Sequence, residues 1–410
     1  MKELLIESEK FLNIPVLTRA HYREQLMHFS QTKEVLIVTW QRRTGKSSIV
    51  REFIQGKKVC YLNKELDIEN QIDNATDLKE YLALWKKQYW DPEYMVIDEV
   101  QDIQDREKAI RAWRAKNEFT TIITWSNSTL LSWELATFLT WRYFEIPVYS
   151  LSYKEFCQFQ DTKPSLEIFE KYLTRWWLPE LHFIPQDDLT QRRYIQYVWE
   201  STMYQDVLRR EWVPDIELFQ RIWAFLSHST GFEISHKKIA DTLTSHHRKT
   251  HSATVHRYMN AMEYALLVDR VSRFDLKGKR ILAYLEKFYF TDHGIRNMRW
   301  YSRESDIWKI LENIVYIELK RRWYEVMVGK RNAYEIDFIA KKWEQRIAIQ
   351  VSYLVHDENR KREVGNLERL PDSFPKIVLS MNPWRTRSVN DQGIILQHVH
   401  NWLIEKDVHI

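Results

Sequence analysis

Glycine is the residue this chain most lacks: 8 occur in 410 positions, where an average usage of about 7% would give roughly 29. Tryptophan stands at 18. Several tryptophans sit where turn chemistry calls for glycine. Trp323 follows a helical stretch ending at Arg322, and Trp343 lies in the polar turn Lys341-Lys342-Trp343-Glu344 between two strand patterns, so both read as replaced glycines rather than core aromatics. Cysteine is also scarce. Cys60 and Cys157 are far apart in sequence, which offers neither a disulfide framework nor metal-ligand spacing and predicts a reducing, cytoplasmic setting. Long apolar runs are absent: nothing approaches the ~20 residues that span a bilayer, and Met1-Lys2-Glu3-Leu4-Leu5 has no signal-peptide core, so a soluble chain with no membrane contact is expected. No sign of charge dominates either. With 61 Lys+Arg against 57 Asp+Glu and a formal charge of +4, any polyanion-binding surface must be local. The length predicts two to four domains.

What is present begins with Val35-Leu36-Ile37-Val38, an apolar strand pattern, followed by Thr39-Trp40-Gln41-Arg42-Arg43-Thr44-Gly45-Lys46-Ser47-Ser48. Gly45, Lys46 and Ser47 satisfy the second half of the P-loop pattern, in which backbone N–H groups and a helix N-terminus wrap a phosphate chain. Trp40 occupies the position of its first glycine. Residues Gln41, Arg42, Arg43, Thr44, Gly45, Lys46, Ser47 and Ser48 are the expected nucleotide-binding segment. Downstream, Tyr94-Met95-Val96-Ile97-Asp98-Glu99 is an apolar strand ending in two acids, placed as a Walker B element should be. Ser47 and Asp98 are then the expected ligands of Mg2+, Lys46 the partner of the β- and γ-phosphates, and Glu99 the group that polarises the attacking water. Asn127, after the strand Thr121-Ile122-Ile123-Thr124, is the candidate γ-phosphate sensor. Arg142 could reach phosphate from the same or a neighbouring subunit, which leaves a homo-oligomer open, although an arginine before a strand is more often a surface or ion-pairing residue.

Strand patterns at 35–38, 59–62, 94–97, 121–124 and 143–147 alternate with helical stretches such as 47–55 and 77–88, which implies a parallel sheet over residues 1–150. Residues 151–228 read as a helical lid or connector, broken at Pro164, Pro179, Pro185 and Pro214. Within 229–300, helical patterns at 235–244 and 252–264 precede strand patterns at 268–274 and 280–290 around Lys277-Gly278-Lys279, the order of a winged helix. His246, His247, Arg248, Lys249, His251, His256 and Arg257 gather there, and Arg248, Lys249 and Arg257 are candidates for DNA phosphates; a solvated basic face or a protein-contact module is the equal alternative. Residues 301–410 give a long helix and the strands 335–340 and 346–353, an α/β unit.

In this order, Gln41-Arg42-Arg43-Thr44-Gly45-Lys46-Ser47, Val96-Ile97-Asp98-Glu99-Val100-Gln101, Ser126-Asn127-Ser128, Arg142-Tyr143 with Leu151-Ser152-Tyr153-Lys154-Glu155-Phe156, and Phe290-Thr291-Asp292-His293-Gly294 resemble the AAA-type P-loop ATPases of archaea and bacteria that carry a winged helix and a C-terminal nuclease-like domain. The resemblance spans nearly the whole chain. It implies an α/β fold with a parallel P-loop NTPase sheet, binding of ATP and Mg2+, ATP hydrolysis, and a role often associated with DNA. The family pattern has glycine where Trp40, Trp125 and Trp141 stand. The alternative is a nucleotide-independent DNA- or protein-binding scaffold. In the tail, Glu335-Ile336-Asp337-Phe338 and Ile349-Gln350-Val351-Ser352 resemble the catalytic strands of PD-(D/E)xK nucleases, with Glu312 or Glu318 as the helix acid. Gln350 and Ser352 stand where an acid and a lysine are needed to hold a metal ion and steady the attacking water, so the tail is expected to be a degenerate nuclease fold.

Overall fold

The computed structural model describes residues 2–12, 16–67, 70–126, 142–175, 177–208, 213–246, 248–275, 280–297, 306–331, 334–370, 375–382, 388–390 and 392–405. Two compact units divide the chain, Met1–Val148 and Tyr149–Ile410.

The first unit contains α1 (Lys2–Leu12), α2 (Ala20–Ser30), β1 (Val35–Thr39), α3 (Lys46–Ile54), β2 (Val59–Asn63), α4 (Ala75–Gln88), β3 (Tyr94–Asp98), α5 (Arg106–Lys116), β4 (Thr120–Trp125) and β5 (Tyr143–Pro147). Its strands form one parallel sheet in the order β2-β3-β4-β1-β5, so β4 lies between the loop-bearing β1 and the acid-bearing β3. All five residues of β1 are buried, as a central parallel strand covered on both faces requires. Val35 and Ile37, Cys60 and Leu62, Met95 and Ile97 alternate onto one face, where they pack against Leu78, Tyr81, Leu82 and Trp85 of α4 and Ala109, Ile110 and Trp113 of α5. The entry of α4 is fixed by a capping box: Asn74 accepts from the N–H groups of Thr76 (2.8 Å) and Asp77 (3.3 Å), and Asp77 accepts from the N–H of Asn74 at 3.0 Å. The register aligns Thr39 with Trp125 and Pro147, and Asn63 with Asp98, so the loops leaving these strands share one edge of the sheet. Ligands bind at that carboxyl edge in open α/β sheets.

The second unit contains α6 (Tyr153–Phe159), α7 (Leu166–Thr174), α8 (Asp188–Thr202), α9 (Ile216–His228), α10 (His236–Ser245), α11 (Ser252–Tyr264), β6 (Val268–Asp275), β7 (Arg280–Phe290), α12 (His293–Asn297), α13 (Ile307–Arg321), β8 (Glu325–Arg331), β9 (Tyr334–Lys342), β10 (Gln345–Ser352), α14 (Asp357–Glu363), α15 (Gly365–Glu368), β11 (Lys376–Ser380), β12 (Ser388–Val389), β13 (Ile394–His398) and α16 (Val399–Ile404). Its strands form a mixed sheet in the order β12-β13-β11-β10-β9-β8-β6-β7. The β6–β7 hairpin therefore shares a sheet with the tail strands, because β6 runs parallel to β8 through Arg273, Phe274 and Asp275. Around α9 to α11 a separate core gathers Phe219, Trp223, Ile239, Val255, Met259 and Phe290. The turn residues 277–279 and His247 lie outside the described residues.

Two local expectations about tryptophan match the backbone. Trp323 follows α13 with φ of 66°; its N–H donates to the carbonyl of Lys320 at 2.9 Å and that of Tyr324 to Leu319 at 3.0 Å, a Schellman ending whose left-handed residue is usually glycine. Trp343 is the first of two residues between the paired Lys342 and Gln345, with φ of 57°.

A buried carboxylate pair at a phosphate loop

The segment between β1 and α3 bends through three residues with positive φ: Trp40 at 135°, Arg43 at 67° and Gly45 at 90°. This geometry turns the chain from the sheet edge into α3, whose first N–H groups have no partner inside the helix and carry the positive end of its dipole. The loop is braced from inside. The buried Arg19 donates from Nη1 to the carbonyl of Thr44 at 2.9 Å, and Thr44 Oγ1 donates to the carbonyl of Gln41 at 3.1 Å. Lys46, also buried, curls back into the loop: its Nζ donates to the carbonyls of Trp40 and Gln41, both at 3.0 Å, and lies 3.9 Å from Glu99 Oε1.

Across the sheet edge stand Asp98, the last residue of β3, and Glu99. Ser47 Oγ donates to Asp98 Oδ1 at 3.0 Å, Tyr61 OH donates to Oδ2 at 2.8 Å, and Thr124 Oγ1 also donates to Oδ1. Glu99 takes a left-handed conformation at φ 59°, its N–H donates to Thr124 Oγ1 at 2.8 Å, and its Oε2 accepts from Ser126 Oγ at 2.7 Å and from Gln101 Nε2. The two acids diverge electrostatically. Burial and then the charge of Glu99 push Asp98 above the usual carboxylate range, although Thr124, Tyr61 and Ser47 oppose this by hydrogen bonding. Burial also pushes Glu99 up, but the charges of Lys46 and Arg42, with the bonds from Ser126 and Gln101, outweigh it and hold Glu99 below its ordinary value.

The structure thus brings Lys46, Ser47, Asp98 and Glu99 into one network from two separate motifs. Gln41 and Thr44 are buried in the loop, whereas Arg42 extends to Glu65 at 3.8 Å. Asn127 lies outside the described residues, as does Trp141. Arg142 is not brought to the loop of its own chain: it is exposed and enters β5, where Tyr143 pairs with Val35, at the end of β1 opposite Trp40. Trp125 ends β4 beside Thr39 but is fully buried in the core, with the Arg106 guanidinium 4.6 Å from its ring centroid. Tyr61, Thr124 and Ser126 were missed by sequence reasoning. Their roles follow from β2 and β4 lying on either side of β3, which no local pattern announces.

A hydroxyl and a carboxylate side by side are hard oxygen donors and fit Mg2+, which takes one or two protein ligands and completes its shell with phosphate and water. Among the described residues no group of three or more His, Cys, Asp or Glu could hold a metal alone.

The second unit has a cavity of about 720 Å³ whose lining includes Lys287, Glu312, Glu335, Asp337 and Gln350. Lys287 Nζ lies 2.8 Å from Glu335 Oε1, 3.1 Å from Glu312 Oε1 and 3.9 Å from Asp337 Oδ1. Burial disfavours the Lys287 charge, but Glu312, Asp337 and Glu335 together raise it above the usual lysine range; burial and Glu312 push Asp337 well above the carboxylate range. Of the two helix acids, Glu312 faces this cluster, whereas Glu318 is paired with Arg321 and, at 2.8 Å, with Arg322. Gln350 accepts from the Asp337 N–H at 3.4 Å and donates to Glu363 Oε2 at 3.3 Å. An ammonium group therefore occupies the centre of this acidic cluster.

Residues 32–157 match the family described as an AAA domain, and residues 166–304 match a domain of unknown function. The first unit thus carries an AAA-type, ATPase-like domain. The chain is similar to an uncharacterized protein of Haemophilus influenzae, at 28% identity over 95% of this chain and 99% of that one, and to an uncharacterized protein of Methanocaldococcus jannaschii, at 27% identity over 82% and 78%. A solved Walker-type ATPase of Pyrococcus abyssi aligns at 14% identity and a TM-score of 0.48, over 69% of this chain and 95% of that one. Among the described residues no helix is long and apolar enough to cross a membrane.

Proposed function

We propose that this chain is a Mg2+-dependent ATPase whose nucleotide state repositions its second unit. The observation that carries the reading is the network in which Lys46, Ser47, Asp98 and Glu99 converge on one helix N-terminus. Bound phosphate would take over the Lys46 ammonium from the carbonyls of Trp40 and Gln41, and the loop 41–48 would wrap it with backbone N–H groups. Mg2+, held by Ser47 and Asp98, would supply charge for the β- and γ-phosphates. Glu99, kept ionised by Lys46 and Arg42 and aimed by Ser126 and Gln101, is the group to orient water. Asn127 remains the proposed sensor, and Arg142 is assigned to a neighbouring copy in a homo-oligomer, since its own loop is at the far end of β1.

In the second unit, the reading takes 151–228 as a helical lid, 229–300 as a winged helix and 301–410 as the nuclease-like part, with DNA meeting Arg248, Lys249 and Arg257. Lys249 and Arg257 are exposed, whereas Arg248 is paired with Asp215. The position of Lys287 among Glu312, Glu335 and Asp337 supports a binding role for the tail rather than metal-dependent cleavage.

Calorimetry of Mg-ATP with the full chain, with Trp40→Gly and with Trp40→Gly/Lys46→Ala tests this. The glycine form should bind, and loss of Lys46 should weaken binding about tenfold or more, as expected for a hydrogen bond to a charged group. Binding by neither the full chain nor Trp40→Gly would sink the ATPase reading in favour of the nucleotide-independent scaffold; binding indifferent to Lys46 would place ATP elsewhere.

A further inference from the structure

Three tryptophans occupy backbone conformations that belong to glycine. Trp323 at φ 66° and Trp343 at φ 57° are left-handed, a region costly for a bulky L-residue, and Trp40 at φ 135° lies beyond it, where glycine alone is at ease. The tasks at these positions are glycine's as well: the residue after a helix in a Schellman ending, the first residue of a two-residue hairpin turn, and the opening residue of a phosphate loop. Little packing is returned at two of them, since Trp343 is 86% exposed and Trp323 45%. Among the described residues the other non-glycine positions with positive φ are Lys33, Arg43, Asn70, Glu99, Asp105, Asn117, Asp161 and Leu266, so tryptophan is the one aromatic type found there, and it is found three times. The glycines that remain do glycine's usual work, with positive φ at Gly45, Gly56, Gly231 and Gly393. Composition points the same way: glycine is scarce at 8 and tryptophan abundant at 18, where an average chain this long has roughly 29 glycines.

Ordinary drift would scatter lost glycines over several residue types. Three replacements by one type, and that the largest, point to a single cause acting at these three sites. The codon UGA supplies one, because some translation systems read it as tryptophan and others as glycine. We propose that in the cells to which this gene belongs, positions 40, 323 and 343 are glycine, inserted at UGA codons. The native phosphate loop is then Gly-x-x-x-x-Gly-Lys-Ser, complete at both ends. The inference stands on backbone angles and holds whether or not that loop binds nucleotide.

Peptide mass spectrometry of the full-length protein isolated from cells that naturally carry the gene decides it. Glycine at all three positions is expected; tryptophan at any of them overturns the proposal for that position. A second measurement uses recombinant protein with tryptophan at these positions. Trp323→Gly and Trp343→Gly should each raise its melting temperature by about 2–4 °C or more, and Trp→Ala, which keeps a Cβ at positive φ, should recover less. Equal gains from alanine and glycine, or no gain from either, would overturn the conformational argument.

Discussion

Lys287→Met replaces the ammonium at the centre of the acidic cluster with an apolar chain of similar length. In the native fold the Lys287 side chain is 2% exposed and Glu312 4%, with Asp337 at 12%. Removing one member of a buried ion pair costs about 3–5 kcal/mol, because the partner's charge is left uncompensated. Part of that cost can be escaped by protonation, which makes the loss depend on pH. Asp337 already titrates well above its ordinary range, owing to burial and Glu312, and without Lys287 it moves further up. An acid raised in the fold contributes its stability at pH below its unfolded value, about 4, and loses it as pH rises through the folded value. The deficit of Lys287→Met should therefore be small near pH 5 and reach about 3–5 kcal/mol by pH 8. Lys287 itself is raised, so its favourable contribution in the native chain stays intact across that whole window. Urea unfolding of the second unit's transition at pH 5, 6.5 and 8, native against Lys287→Met, measures this. A deficit of equal size at pH 5 and pH 8 would refute the argument that uncompensated carboxylate charge is what the lysine offsets.

At the phosphate loop, Thr124→Val removes the donor to Asp98 and the acceptor of the Glu99 N–H; a loss of about 1–3 kcal/mol in the first unit's thermal transition is expected, and no loss would mean that neither bond stabilises the fold. Asn74→Ala deletes the acceptor of the α4 capping box and should cost about 1 kcal/mol, read by circular dichroism as a lower melting midpoint. His182 sits edge-on against Phe156 and Phe159, and burial lowers its pKa to about 4. Its neutral form is favoured by folding, so stability holds above pH 6.5 and declines below it, by at most about 1.4 kcal/mol per pH unit. His182→Phe should flatten the denaturation profile between pH 7 and 5; an unchanged slope would remove His182 from the account.

The parallel sheet of the first unit was legible because apolar runs such as Val35-Leu36-Ile37-Val38 and Tyr94-Met95-Val96-Ile97 are what strands buried on both faces look like. So were Gly45-Lys46-Ser47 and Asp98-Glu99, whose chemistry is written in adjacent residues. The glycine-like turns at Trp323 and Trp343 were legible too, since a helix ending and a hairpin turn each make a local demand on φ. Strand order was not. Sequence could name Asp98 and Ser47, but only β4 lying between β1 and β3 puts Thr124 and Ser126 against the two acids. It is also register, Val35 beside Tyr143, that separates Arg142 from its own loop. In the second unit, an isolated Lys287 on β7 gave no signal, and nothing local distinguished Glu312 from Glu318. Tertiary packing decided both, because a carboxylate's pKa and partner depend on which charges the fold carries to within a few ångströms, across 25 residues between Lys287 and Glu312, and that distance is invisible to any period of 2 or 3.6.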